Sequence, residues 1–393
     1  MKPDKLITHI LNKSLFGSSF IIESSFNWNE LLNESRIHAV FICIYNEIKD
    51  LLTDDKEKWD KIYYQIISQN IRNRNAHQKL NLILTKANIP YVVLKGMASA
   101  KYYPDPSLRV MGDVDFLVRE CDVERTTIEL LKNGLHRTES ESNGFHIAFS
   151  DNQISWELHW ASPGIPKEGN ASFEVKKYLS NIIDKAEYYD GYMVPSDFHH
   201  GVVMLLHFVS HMTTTGMGLR HLCDWAVFVN AFNDKAFRDM FEIPLREIGL
   251  WEYARVLTAI SIKYLGVDSK DFASGVDEET IELLMEDIIE SGNFGHKDCQ
   301  RINQAKLMRD DATRGITQGN MVLTLFRNLN YRSRKAIPIT EKIPLLLPLG
   351  WVYIGLKHII LIFRGKRTKV KIKETIMGAE KRSNVYQRLK LFQ

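Results

Sequence analysis

Two aspartates, Asp113 and Asp115, stand one residue apart in the run "GDVDFLV", whose remaining side chains after Gly112 are all apolar. A short apolar run of this kind reads as a strand. Successive side chains of a strand point to opposite faces, so both carboxylates share one face, about 7 Å apart. Two like charges that close and half buried raise one pKa or demand a cation. The chain must therefore build a sheet with a charged patch on one face.

The neighbouring text supplies a small module around that strand. "IPYVVL" after Asn88 is a buried strand, "KGMASAKYY" a turn into a short helix and "PDPSLR" a loop. "DVERTTIELLKNG" reads as a helix with an Asp122 N-cap and a closing glycine. "FHIAF" and "ISWELHW" form a hairpin across Ser150 to Gln153. Its second arm sends Ile154, Trp156, Leu158 and Trp160 one way and Ser155, Glu157 and His159 the other. Before the module, the apolar spacing of "RIHAVFICIYNEIKDLL" and the long run ending near Asn88 predict helices. After Ser162 to Asn170, rich in Pro, Gly, Ser and Asn, helical periodicity returns. The expected fold class is α+β: a small mixed-sheet core flanked by N-terminal and C-terminal helical regions. The expected divisions are 1–87 helical, 88–162 core, 163–335 helical and 336–393 an apolar and basic tail.

Glu157 adds a third acid on a nearby strand. An oxygen-only set of this kind suits Mg2+, bound by one or two carboxylates plus substrate phosphates. Three carboxylates on two strands are the parts of a two-metal phosphoryl-transfer site. Upstream, Lys95 and Gly96 end a strand and open a helix, a turn whose backbone N–H groups can face phosphate. Lys95 adds a point charge there. Arg109 has two readings, a planar fork for phosphate oxygens or an ion pair with Asp105 or Asp113.

Together "VVLKG", "YYPDPSLRVMGDVDFLV" and "WELHW" resemble the nucleotidyltransferase superfamily of the DNA polymerase β type. They are more closely similar to a bacterial family of uncharacterised nucleotidyltransferases. The resemblance covers Ile89 to Trp160, and "LRHLCDW" is similar less specifically. It implies Mg2+-dependent transfer of a nucleoside monophosphate from an NTP to an acceptor hydroxyl of a small molecule, a sugar or a protein. It also implies that Asp113, Asp115 and Glu157 hold two Mg2+ ions, with Lys95, Gly96 and Ser99 toward the phosphates. The chain departs from the superfamily where Met97, not Gly or Ser, follows Gly96; Ser99 is the nearest hydroxyl. That departure motivates an alternative, a catalytically inactive nucleotide-binding or scaffold protein of the same fold.

Several other residues have plainer readings. His207 and His211 lie at metal-ligand spacing on a predicted helix, but no third ligand is evident, so a core role is preferred. Arg220 and Asp224 predict an intrahelical ion pair. Trp156 and Trp160 predict core, and His159 a structural hydrogen bond. Net charge is only +3, and no basic groove interleaved with aromatics is visible, so no nucleic acid partner is expected. Cys43, Cys121, Cys223 and Cys299 are scattered and read as buried reduced thiols of a cytoplasmic protein, with no signal peptide. "IPLLLPLGWVYIGLKHIILIF" (343–363) precedes the basic cluster Arg364 to Lys373. It reads as a buried helix with a solvated basic tail. The rival reading is peripheral contact of 343–373 with an anionic membrane, in polysaccharide assembly.

Overall fold

The computed structural model describes residues 3–22, 26–53, 55–138, 146–298, 300–310, 315–316, 321–363 and 372–393. The main sheet has five strands: β1 (Tyr91–Val93), β2 (Val114–Val118), β3 (His136–Arg137), β4 (His146–Ser150) and β5 (Ser155–His159). Their spatial order is β1-β2-β5-β4-β3. β2 and β5 run parallel and the other neighbours antiparallel, so the sheet is mixed, as expected. A parallel pair needs a crossover, and the Val123–Lys132 helix lies on that path. Gly134, at φ 86°, closes this helix as predicted, with the Leu135 N–H donating to the Leu130 carbonyl at 3.1 Å. The predicted Asp122 N-cap is not made: Asp122 ends a 3-10 turn and its carboxylate accepts from Arg125 instead.

The β4–β5 hairpin forms around Asp151, whose carboxylate accepts the N–H groups of Gln153 and Ile154 at 3.1 and 2.9 Å. Strand alternation then divides the apolar residues between two cores. Val93, Val114, Phe116, Trp156 and Leu158 pack under the sheet against Leu80 and Leu84 of the Lys56–Lys86 helix. Val92, Leu94 and Leu117 face the other way. They join a core that runs from the N-terminal helices through Phe41 and Trp59 to Leu206, Trp225 and Phe228 of the later helices. Asp113 and Asp115 share the parity of Leu117, so the acids face the helical side.

Three further expectations are corrected. The helical run predicted before Leu52 breaks at His38–Val40, where Ala39 takes φ 55°, giving helices Trp28–Ile37 and Phe41–Ile48. The break lets His38 cap another helix: its Nδ1 accepts from the Leu219 N–H and its carbonyl from the Arg220 N–H, each at 3.2 Å. Of the thiols, Cys43 and Cys223 are buried but Cys121 is exposed; Cys299 lies outside the described residues.

The apolar Leu347–Phe363 helix is not buried either. Leu349, Val352, Leu356 and Ile360 are 50–63% exposed. It packs on the Met321–Ala336 helix, where Gly350 lets the backbones close: a Cβ there would meet Ser333 Cβ at 2.6 Å. One packed face leaves the other open. The basic cluster falls outside the described residues except for Ile372 and Lys373, which begin the Ile372–Arg388 helix. That helix docks rather than trailing into solvent. Arg382 Nη2 and the Tyr386 hydroxyl both donate to the Met212 carbonyl, at 2.8 and 2.5 Å. No described helix is long and apolar enough to cross a membrane.

Candidate active site

Parallel pairing sets Asp115 directly beside Glu157 on neighbouring strands, and adjacent strands lie about 4.8 Å apart. Asp113 precedes β2 by one residue, so its position depends on the incoming loop. The long Lys56–Lys86 helix holds that loop. Asn70 Nδ2 donates to the carbonyls of Ser107 and Arg109 at 3.2 and 3.0 Å, and its Oδ1 accepts the Met111 N–H at 2.9 Å. Asn73 Nδ2 donates to the Gly112 and Asp113 carbonyls at 3.0 and 3.3 Å. These buried amides satisfy a loop that has no ladder partners.

Lys95 ends β1's extension with its Nζ 2.8 Å from Asp115 Oδ1. His159 Nε2 lies 3.1 Å from the same oxygen and 3.2 Å from Glu157 Oε2. Burial raises the Asp115 carboxyl, but Lys95 and His159 outweigh it and hold the group well below the usual range. Asp113 moves oppositely. The Asp115 charge and then burial push it up to about 6, with Lys95 pulling down. Burial opposes the charged forms of Lys95 and His159, yet the surrounding carboxylates raise both. Like-charge repulsion from Asp115, together with burial, thus outweighs the pull of Lys95 on Asp113.

These side chains line one cavity of about 380 Å³. Gly96 and Ser99 line it as well. Gly96 takes φ 59°, which favours glycine, and the departure at Met97 leaves the cavity wall, because Met97 is buried in the core under the sheet. Arg109 reaches the wall with its fork already engaged. Its Nε and Nη2 each lie 2.8 Å from an oxygen of Asp224, and the Tyr103 hydroxyl donates to Asp224 at 2.8 Å. Asp224 therefore binds Arg109, not Arg220 one turn earlier, and the intrahelical pair is replaced by a buried one across the chain.

The helical side closes the cavity with residues from Asp197–Met212 and Leu219–Asn230. Half-buried Arg220 donates to the Val110 carbonyl at 3.3 Å, while its Nε has no hydrogen-bond partner. Carboxylate oxygens are the donors a hard divalent cation takes. Among the described residues Asp115, Glu157 and His159 form a set that could hold a metal ion, their ligand atoms within 4.8 Å of one another; Asp113 is not part of it. His159 was expected only as a hydrogen-bonding residue, although strand alternation did place it on the face of Glu157. His221, which lines the cavity from the Leu219–Asn230 helix, and the two asparagines were missed, since their spacing to the acids carries no local signal.

A family model described as an uncharacterised nucleotidyltransferase matches residues 24–265, from the N-terminal helices through the sheet to the helix ending at Leu265. No curated protein matches the chain.

Proposed function

The chain belongs to the uncharacterised nucleotidyltransferase family, and from that premise we propose that it transfers a nucleoside monophosphate from an NTP to an acceptor hydroxyl. Asp113, Asp115 and Glu157 would hold Mg2+, two ions at full loading. Bound Mg2+ supplies neutralisation of phosphate charge and alignment of the α-phosphate. The observation carrying this reading is the register that sets Asp115 beside Glu157 in a cavity that Asp113 also lines, its carboxyl pushed up by the Asp115 charge.

Lys95 and the unpaired Arg220 Nε give the triphosphate two half-buried cationic partners. The Gly96 turn and Ser99 line the same wall. The acceptor oxygen attacks the α-phosphorus, the bond to the bridging oxygen breaks, and pyrophosphate leaves with the electron pair. The acceptor proton passes to Glu157, which His159 orients. The protein contributes mainly positioning and charge.

The test is calorimetric titration with each of the four NTPs, with and without Mg2+, on wild type and on Asp113→Asn/Asp115→Asn. Binding should need both the metal and the aspartates, with affinity falling at least about 100-fold in the variant, near 3 kcal/mol. Equal binding by wild type and variant would sink the assignment. Burial of Met97 under the sheet favours turnover over the inactive alternative. Mg2+·NTP binding without pyrophosphate release, across sugar, small-molecule and protein hydroxyls, would favour the alternative.

A further inference from the structure

We propose that His207, His211 and His221 form a second cation site on the same cavity, selective for a borderline ion of the Zn2+ class. His207 and His211 lie one turn apart on the Asp197–Met212 helix, and their Nε2 atoms face each other at 3.0 Å. His221 comes from the first turn of the Leu219–Asn230 helix. One nitrogen from each ring lies within 4.8 Å of the other two. Tetrahedral Zn2+ with Zn–N bonds near 2.0–2.1 Å separates its ligand nitrogens by about 3.3 Å, so small side-chain rotations close the set.

Two details point to a ligand and not to packing. His211 Nδ1 lies 3.2 Å from the Thr215 hydroxyl. That partner orients the ring and leaves the Nε2 lone pair toward His207, the arrangement found behind metal-bound imidazoles. His221 Nε2 is buried with no hydrogen-bond partner. Its Nδ1 accepts the Gly218 N–H at 3.3 Å, so the proton now rests on Nε2. Loading an ion moves that proton to Nδ1 and gives up one long hydrogen bond for a metal–nitrogen bond.

The donor chemistry separates this site from the carboxylates. Three imidazoles and no oxygen ligand favour Zn2+ over Mg2+. Three protein ligands leave a fourth position open. All three rings line the cavity that the acids line, so the two sites share one solvent space. The Phe294 ring, 4.8 Å from that of His211, shields the cluster on one side.

The inference stands without the nucleotidyl-transfer reading, and one experiment separates them. Full-length protein is held in excess Mg2+ to fill the carboxylate site, then titrated with Zn2+ against a chromophoric chelator. Wild type should bind one Zn2+ per chain. His207→Gln and His211→Gln should weaken it about 100-fold or more, since losing an outer partner alone costs 10–100-fold. Asp113→Asn/Asp115→Asn should bind Zn2+ as wild type does. Absence of stoichiometric Zn2+ binding, or loss in the aspartate variant with the histidine variants unchanged, overturns the site. Co2+ on wild type gives a readout that needs no variant. Intense visible absorption of a tetrahedral nitrogen-ligated ion supports the site, and the weak spectrum of a six-coordinate oxygen site overturns it.

Discussion

The Asp115 charge and burial push the Asp113 carboxyl up to about 6, against the pull of Lys95. The folded protein carries this charge at a cost that builds as pH rises from the ordinary 3.8 toward that value and is complete at neutral pH. Asp113→Asn should therefore stabilise the metal-free protein at pH 7.5 by about 1–3 kcal/mol, from a shift of some two pKa units at 1.36 kcal/mol each. Urea unfolding with EDTA checks this; a variant less stable than wild type would show that the repulsion is already relieved. His77 gives the pH dependence. Burial holds it down to about 4, with Nδ1 at 2.8 Å from the Asn73 carbonyl. The unfolded chain takes up that proton near 6.5 and the native one near 4, so this stability is complete above 6.5 and lost as pH falls toward 4. Between pH 7 and 5 the loss is about 2 kcal/mol. His77→Gln should remove that part of the slope in melts at the two pH values, and an unchanged slope would assign it to other histidines.

Among the elements, the Lys56–Lys86 helix does more than cover the sheet. Through Asn70 and Asn73 it fixes the loop that delivers Asp113. Asn73→Ala leaves two loop carbonyls unsatisfied and should cost about 1–3 kcal/mol. It should also weaken Mg2+·NTP binding with the carboxylates intact, which calorimetry reads; full affinity in a destabilised variant would confine Asn73 to the fold. The strands and the hairpin were legible because period-two alternation in "ISWELHW" and the Asp-x-Asp run are local signals. The elements that failed did so for one reason. Ala39 breaks a helix so that His38 can cap Leu219, 181 residues away, and Arg109 finds Asp224 at a separation of 115. No window of neighbouring residues contains such a partner. The Leu347–Phe363 helix was misjudged similarly: its apolar residues were plain, but which face would find cover was not written in them.

Across the whole molecule, the buried Arg109–Asp224–Tyr103 group joins the sheet to the helical side. Asp224→Ala strands a buried guanidinium and should cost about 3–5 kcal/mol. Arg109→Met/Asp224→Leu should lose markedly less, and equal losses would mean that shape and not charge is decisive. The exposed apolar face of Leu347–Phe363, beside basic residues 364–373, makes an anionic membrane surface its proposed partner. Leu349→Asp/Leu356→Asp should abolish sedimentation with phosphatidylserine vesicles, and wild-type protein left in the supernatant would end that proposal. The docked Ile372–Arg388 helix has another consequence. Ala379, Val385, Tyr386 and Leu389 complete a core whose first contributors include Leu6 and Ile10. A ribosome makes those residues some 370 positions apart. The Pro3–Phe16 helix finds its cover on Phe41–Ile48 and Trp251–Leu265, whereas the Glu278–Ser291 and Arg301–Met308 helices must wait for the docked helix, until nearly the whole chain has emerged. The helical side is thereby completed only at the close of translation, and chaperones that bind nascent apolar segments would find their last target in the helices that await the docked one.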